Sequence, residues 1–176
     1  MKKMRISCPA FVTRLSNHNE IKDDLLDLIE KQPASPTQNE FEKVTRSDYI
    51  NHIAPIRPYF KLLKPYLIKD LRPILDDLEV HPEDFEIQNY WFQQYHKTDL
   101  YAWHRHSHTS WIIIYYLELP EGTPQTQFKD LYDNTILTAS VTEGDILVLP
   151  GMIKHCSPIN DSDKRKTVIA FNSTIY

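Results

Sequence analysis

Two histidines separated by one residue give this sequence its clearest chemical signal. His104 and His106 stand in the stretch 101–108, directly before the apolar run 111–119. On an extended segment the side chains at positions i and i+2 point to the same side of the chain. The two imidazoles could therefore bind one metal ion together, and imidazole is a ligand for iron, copper, nickel and zinc. The pair predicts a metal site that needs a further ligand.

His155 is the candidate for that third ligand. It follows a turn at 143–145, an apolar segment at 146–149 and a Pro-Gly corner at 150–151, which would end a strand and aim the histidine back across the mouth of a barrel. An isolated histidine is usually a surface or core residue, and chance can supply a spaced pair in a chain with 8 histidines. We assign no chemistry to three others, which are His81, His96 and His108.

A basic run at 164–166 provides a second signal. It opens the β-type run 167–171, and Arg165 and Lys166 stand ten and eleven residues past His155. A cation entering a barrel at this point could pair with a carboxylate ligand beside the metal. A solvated cationic edge of a final strand is the ordinary alternative, and it would be preferred without the histidines.

Length, charge and cysteine content narrow the class of protein. A chain of 176 residues fits one domain, or one domain with a helical appendage. A net charge of −4 argues against a nucleic acid as the main partner. The two cysteines, Cys8 and Cys156, suit a reducing cytoplasm. Neither an apolar leader nor a membrane-spanning stretch is evident, so we expect a cytoplasmic protein without a membrane partner.

The first half of the chain is predicted to be mainly helical. Residues 1–15, with Ile6, Phe11 and Val12, are expected to include a short strand, and residues 19–32 a helix with one apolar face. Residues 33–46 are predicted to be a polar loop. Residues 58–78 carry an apolar stripe at helical spacing, with Pro65 and Pro73 on the opposite, solvent side. Both helices are expected to act as scaffolding.

From Asp84 onward the pattern changes to short β-type runs separated by turn residues. These runs are 85–87, 90–95, 110–119, 127–128, 135–141, 145–149 and 167–171. Seven or eight short strands with no helices between them predict a jelly roll or a small barrel.

At these residues the sequence resembles the 2-oxoglutarate/Fe(II)-dependent oxygenases, and most closely their small phage and bacterial branch related to prolyl hydroxylases. The resemblance implies an α+β fold, with N-terminal support helices in region 1–83 and a double-stranded β-helix (jelly roll, cupin-like) in region 84–176, as one compact unit. The matching blocks occur in the same order over about residues 85–176, at 91–95, 103–106, 115–120, 143–146, 150–155 and 165–173.

The resemblance also implies roles for single residues. It makes His104, His106 and His155 the iron ligands. Most of the wider family carries Asp or Glu at the position of His106, so this chain would have a three-histidine centre, as some cupin dioxygenases have. Three aromatic residues are candidates for the substrate side, namely Tyr101, Trp103 and Trp111.

For the cofactor, the resemblance implies that either Arg165 or Lys166 binds the distal carboxylate of 2-oxoglutarate. The two side chains face opposite ways on a strand, so only one can do so. Spacing from His155 favours Arg165, whereas the residues that follow favour Lys166. Tyr95 and Asn172 are further candidates for the same pocket.

The implied activity is that of a dioxygenase in the cytoplasm, or in the host cytoplasm if the chain is phage-encoded. It would use Fe(II), 2-oxoglutarate and O2 to hydroxylate a C–H bond of a small-molecule or peptidyl substrate. A cupin-type metalloprotein is one alternative, as a 2-oxoglutarate-independent dioxygenase, an isomerase or a binding module. The spacing of Gly144, Pro150 and His155 nearly matches the second cupin motif, although no Glu follows His106 as the first motif requires. A non-enzymatic phage structural or interaction protein is the other alternative.

Overall fold

The computed structural model of the protein describes residues 4, 8–49 and 56–176. Its main feature is a single curled antiparallel sheet. Within these residues the sheet has 11 strands in the order β1-β9-β6-β11-β4-β3-β5-β10-β7-β8, and β2 pairs with β3. Along the chain the elements are β1 Phe11–Arg14, α1 His18–Glu30, β2 Ser35–Gln38, β3 Glu42–Ser47, α2 Pro58–Asp77, β4 Phe85–Tyr95, β5 Leu100–His104, β6 Trp111–Glu118, β7 Gln127–Lys129, β8 Ile136–Thr138, β9 Asp145–Pro150, β10 His155–Ser157 and β11 Lys166–Ile175.

The middle of the sheet is buried on both faces. Side chains alternate along a strand, and on β6 Ile113, Tyr115 and Leu117 pack in one apolar cluster together with residues of α1 and α2. Their neighbours Ile112, Ile114 and Tyr116 pack in a second cluster on the other face. This explains why β6 is an almost uninterrupted apolar run. The α+β prediction with a jelly-roll core and N-terminal helices is confirmed.

Both predicted helices are present. The apolar stripe of α2 is buried, with Leu63 and Leu67 fully inaccessible to solvent. Pro65 and Pro73 lie within α2 on its exposed side, as predicted, and Pro58 occupies the first turn, where no backbone donor is lost. In the part of the chain that the structure describes, no helix is long and apolar enough to cross a membrane.

The predicted loop at 33–46 is wrong, because it forms β2 and most of β3. Strand β3 lies between β4 and β5 in the sheet, and Val44 is its buried apolar side chain. Strand β2 pairs with β3 alone and is largely exposed. Neither strand therefore needs the apolar alternation by which strands are recognised. Their pairing depends on partners that lie far along the chain.

Other strand predictions differ in detail. The runs 85–87 and 90–95 belong to one continuous strand, β4. The strands expected to carry the histidines are present as β5, which ends at His104, and β10, which begins at His155, whereas His106 lies beyond the end of β5. The short strand expected near the start of the chain exists as β1, whereas Ile6 lies outside the described residues. Strands β1, β2 and β3 of region 1–83 belong to the same sheet as the strands of region 84–176. We propose for that reason that the two regions fold as one unit.

A buried ion pair joins the end of β3 to the start of α2. Arg57 Nε lies 2.8 Å from Asp48 Oδ2, which also accepts the Tyr59 hydroxyl at 2.9 Å. Asp48 Oδ1 accepts the backbone N–H of Phe92 at 2.9 Å, which fastens this corner to β4. Removing one partner from such a buried pair typically costs about 3–5 kcal/mol. The corner also sets the position of the next residue, Tyr49.

Candidate metal centre

Three histidines converge where β5 and β10 lie side by side. His104 ends β5, His106 follows two residues later, and His155 begins β10 directly opposite His104 in the ladder. One ring nitrogen from each lies within 4.8 Å of the others, and His155 is only 4% exposed. The structure brings together all three histidines that the sequence nominated.

Each of the three rings is oriented by a hydrogen bond from its Nδ1. The acceptors are Ala102 O at 2.8 Å for His104, Asn172 Oδ1 at 2.6 Å for His106 and Ile153 O at 3.1 Å for His155. Because each acceptor is a carbonyl or amide oxygen, Nδ1 must carry the proton of the neutral ring. The Nε2 lone pair of every ring is then free for a metal, which is the usual arrangement around metal-binding histidines.

Burial keeps these rings neutral. Desolvation, with a smaller contribution from neighbouring His106, lowers the pKa of His104 to about 4. Desolvation, followed by His104, lowers the pKa of His155 to about 3, and burial also lowers the pKa of His106. At neutral pH all three can therefore act as metal ligands without first losing a proton.

The metal-free protein should lose stability as the pH falls from 7 to 5. The unfolded chain protonates these imidazoles below about pH 6.5, whereas folded His104 and His155 resist protonation until about pH 4 and 3. The unfolded state thus binds more protons in this window, and stability decreases as the pH falls through it. The loss should be on the order of a few kcal/mol, measured by urea unfolding at a series of pH values.

The variant His155→Ala measures how much the histidine cluster contributes to the pH dependence of the free energy of unfolding. Burial also lowers the pKa of His18, so part of the pH dependence lies elsewhere in the chain. The variant should show a shallower decline than the wild-type protein, and identical profiles would contradict the assignment.

The donor set is neutral. Among the described residues the cluster contains no carboxylate, and no Asp or Glu lines the adjoining cavity. A bound divalent cation would keep its full charge until an anionic ligand joined it. Three imidazoles suit iron, nickel, copper or zinc, so the residues present fit the Fe(II) that the sequence resemblance implies.

An irregularity in β5 brings a tyrosine beside the histidines. In the ladder His104 faces His155 and Tyr101 faces Ser157, so the interval on β5 is one residue longer than that on β10. This bulge places Tyr101 and His104 on the same wall of the cavity. Simple alternation would have put them on opposite faces.

The other two aromatic candidates for the substrate side lie outside the cavity and the cleft that adjoins it. The Trp103 ring packs under Lys129 Nζ at 4.7 Å. The Trp111 ring packs against Phe11, with ring centroids 6.0 Å apart. The structure therefore places only Tyr101 of these three aromatic residues beside the histidines.

A cavity of about 40 Å³ runs inward from the histidines to Lys166. This lysine is 1% exposed, and its Nζ donates to Ser157 Oγ at 2.6 Å and to Pro124 O at 3.0 Å. The Nζ also lies 4.7 Å from the centroid of the Tyr95 ring. Within the described chain no carboxylate lies in ion-pair range of it. Desolvation lowers the pKa of Lys166 to about 7, and an anion entering the cavity would relieve that cost.

Arg165 faces the opposite way. Its guanidinium binds Glu118 through Nε at 2.8 Å and Nη2 at 3.0 Å. It also binds Glu30 through Nη1 at 2.6 Å. These contacts hold α1 and β6 together and leave Arg165 outside the cavity.

The last two cofactor candidates differ in position. Tyr95 lines the inner cavity and donates its hydroxyl to Gln93 Oε1 at 2.9 Å. Asn172 lies at the outer rim, where it contacts His106. Sequence reasoning missed Ser157, although its place two residues after His155 on an extended segment was a usable signal.

A wider cleft of about 670 Å³ opens from the histidines to the surface. It shares five lining residues with the inner cavity, which are Trp91, Gln93, Tyr101, His104 and His106. The Trp91 ring lies nearly parallel to His106, at 14° and 6.1 Å between centroids, and Tyr49 packs edge-on against Trp91 at 5.0 Å. The histidine cluster thus lies between a buried pocket that contains Lys166 and an aromatic cleft open to solvent.

Comparison with known proteins gives a structural likeness without a sequence match. No protein-family model matches the chain, and no curated protein matches it. Among solved structures, a prolyl-4-hydroxylase from Pseudomonas putida superposes with a TM-score of 0.68 at 12% identity, covering 94% of this chain and 92% of that one.

Two further structures extend the likeness. A member of the 2OG-Fe(II) oxygenase family from Burkholderia pseudomallei gives a TM-score of 0.68 at 10% identity, covering 86% of this chain and 77% of that one. A viral collagen prolyl hydroxylase from Paramecium bursaria Chlorella virus-1, crystallised with 2-oxoglutarate, gives 0.61 at 11% identity, covering 93% and 94%. The chain therefore has the jelly-roll fold of the 2OG-Fe(II) oxygenases, with three histidines clustered at the mouth of the barrel.

Proposed function

We propose that this protein is a 2-oxoglutarate- and Fe(II)-dependent dioxygenase that hydroxylates a C–H bond of a small-molecule or peptidyl substrate. One observation carries the proposal. A single cavity joins three imidazoles with free Nε2 lone pairs to a buried lysine that has no carboxylate partner among the described residues. The first group suits a divalent metal, and the second suits the far end of a dicarboxylate.

The metal would be held by His104, His106 and His155 through Nε2. When bound, Fe(II) and 2-oxoglutarate would supply oxidation of a C–H bond by O2, with 2-oxoglutarate converted to succinate and CO2. The protein contributes the orientation of the rings, through the oxygen acceptors on Nδ1, and a partly closed site. Apolar side chains of Ile112, Val168 and Ala170 form part of the inner wall.

The distal carboxylate of 2-oxoglutarate would bind Lys166 and the hydroxyl of Ser157. Ser157 stands two residues after His155 on β10, which corresponds to roughly 6.5 Å along a strand. A five-carbon dicarboxylate is long enough to span a distance of this order. Tyr95 borders the same pocket. Arg165 is less suited because Glu118 and Glu30 already neutralise it.

The wider cleft is the proposed substrate side. Its aromatic side chains Tyr49, Trp91 and Tyr101 and its amides offer surfaces for either a peptide or a small polar molecule. Structural neighbours cover both classes. One is described as a prolyl hydroxylase in complex with a peptide fragment of hypoxia inducible factor. Another, HygX, is described with nickel, 2-oxoglutarate and hygromycin B bound.

Anaerobic titration tests the proposal directly. Adding 2-oxoglutarate to the Fe(II) protein should produce the weak visible charge-transfer band of a chelate, and adding O2 should yield succinate. If Fe(II) binds but neither the band nor succinate forms, 2-oxoglutarate use is excluded.

A cupin-type metalloprotein remains the second candidate, and the all-histidine donor set is the observation that favours it. Such a protein would bind a metal in the same place without affinity for 2-oxoglutarate. Metal analysis of the purified protein, combined with calorimetric titration of 2-oxoglutarate, distinguishes the two. The buried Lys166, which has no carboxylate partner among the described residues, supports the dioxygenase, because a cupin without 2-oxoglutarate has no evident use for it.

A further inference from the structure

Asn172 lies where it can decide which nitrogen of His106 carries the proton. Its Oδ1 is 2.6 Å from His106 Nδ1, and its Nδ2 donates to Asn89 Oδ1 at 2.7 Å. Asn89 and Asn172 are direct partners in the ladder between β4 and β11. The side chains of Asn89, Asn172 and His106 form one hydrogen-bonded chain from the rim of the cleft to the histidine cluster.

The hydrogen bond between Asn172 and Asn89 runs in one direction. Asn89 Oδ1 accepts the Nδ2 N–H of Asn172, and Asn172 Oδ1 faces His106 Nδ1. An amide oxygen cannot donate, so Nδ1 of His106 must be protonated. Because a neutral imidazole has a single N–H, Nε2 is then a lone pair directed away from Asn172.

His106 depends on a side-chain acceptor for its Nδ1 proton, whereas His104 and His155 do not. The acceptors for His104 and His155 are backbone carbonyls that lie two residues before each ring, Ala102 O in β5 and Ile153 O in the turn before β10. His106 lies beyond the end of β5, and its acceptor is a side chain from another strand. With no carboxylate in the donor set, losing one imidazole lone pair would remove a third of the ligands.

We propose that Asn172, held by Asn89, is a positioning residue that keeps His106 in the tautomer able to bind a metal. The inference rests on the metal site of the proposed function. It also gives Asn172 a role other than the contact with 2-oxoglutarate that the sequence resemblance implied.

The first experiment uses the metal-free protein. Long-range proton–nitrogen correlation spectra of histidine labelled with nitrogen-15 report the tautomer of each ring. The wild-type protein should show a proton on Nδ1 of all three rings. Asn172→Leu should change His106 alone, with His104 and His155 as internal references. Thr174→Val, a polar-to-apolar change two residues along β11, should change none of the three.

The second experiment measures Co(II) affinity and the visible Co(II) spectrum. Loss of an outer hydrogen-bond partner typically weakens metal binding about 10- to 100-fold, and Asn172→Leu should show a loss of this size. Asn172→Asp keeps an acceptor and makes the bond charge-assisted, so it should match or exceed the wild-type affinity. A merely structural role predicts the reverse order, with the apolar variant tolerated better than the charged one.

The results distinguish failure of the proposed function from failure of the positioning role of Asn172. A wild-type protein that binds no Co(II) would overturn the proposed function and this inference together. If the wild-type protein binds Co(II) and Asn172→Leu keeps both its affinity and the Nδ1 proton of His106, the positioning role alone is overturned.

Discussion

Replacing His155 with alanine should abolish specific metal binding. His155 is the most deeply buried of the three histidines and stands opposite His104 across the ladder, and without it the site would offer only two imidazole ligands. The loss of affinity should exceed the roughly 100-fold cost of losing an outer hydrogen-bond partner. Co(II) or Fe(II) titration measures it, and dichroism spectra show whether the variant is folded.

His108→Ala is the matched control for this prediction. His108 is exposed and lies outside the cluster, although it borders the same cleft. It should retain the wild-type affinity. A folded His155→Ala protein that binds metal as tightly as the wild type would remove His155 from the ligand set.

Replacing Lys166 with methionine should nearly abolish 2-oxoglutarate binding and leave metal binding intact. Truncating one partner of a buried charge pair costs about 2–5 kcal/mol, which corresponds to a roughly 30-fold to several-thousand-fold loss of affinity. The ligand-free variant should remain folded, because methionine occupies much of the same space and removes an amino group whose charged form is disfavoured by burial. Calorimetric titration of 2-oxoglutarate into the Mn(II)-loaded protein gives the affinity.

The variant Arg165→Met, at the adjacent residue, is the control for Lys166→Met and should behave in the opposite way. Its 2-oxoglutarate affinity should be nearly unchanged, since Arg165 lies outside the cavity and binds Glu118 and Glu30. Its stability should fall by about 1 kcal/mol or less, as expected for a partly exposed ion pair. If Arg165→Met loses 2-oxoglutarate binding while Lys166→Met keeps it, the assignment of the anchor must be exchanged.

The charge of a three-histidine centre affects how strongly 2-oxoglutarate should bind. Each imidazole is neutral, so the metal–protein unit would carry two positive charges before 2-oxoglutarate binds, whereas a carboxylate ligand would cancel one of them. Chelation by a dianion is then favoured by charge as well as by geometry. The hydrogen bond from His106 to Asn172 matters for the same reason. Because no carboxylate contributes to the site, each imidazole must keep its Nε2 lone pair free for the metal.

Much of the architecture was predictable because it is encoded locally. The 3.6-residue period of α2, with Pro65 and Pro73 on its outer side, and the short β-type runs after Asp84 all identify their elements. The spaced pair His104 and His106 and the Pro-Gly corner before His155 identified the metal-binding candidates from neighbouring residues alone. Strand β3 escaped prediction because its neighbours β4 and β5 in the sheet come much later in the chain.

The sequence by itself determined the helices, the β-rich second half and the three candidate ligands, because periodicity and short spacing are properties of adjacent residues. Only the tertiary structure decided that Lys166 faces the cavity while Arg165 faces α1, since alternation says that two neighbours differ but not which one points inward. It also placed Tyr101 beside His104 through a bulge, and Asn172 beside His106 across strands. These placements depend on the curvature of the sheet and the register of its strands, which cannot be read from the pattern of neighbouring residues.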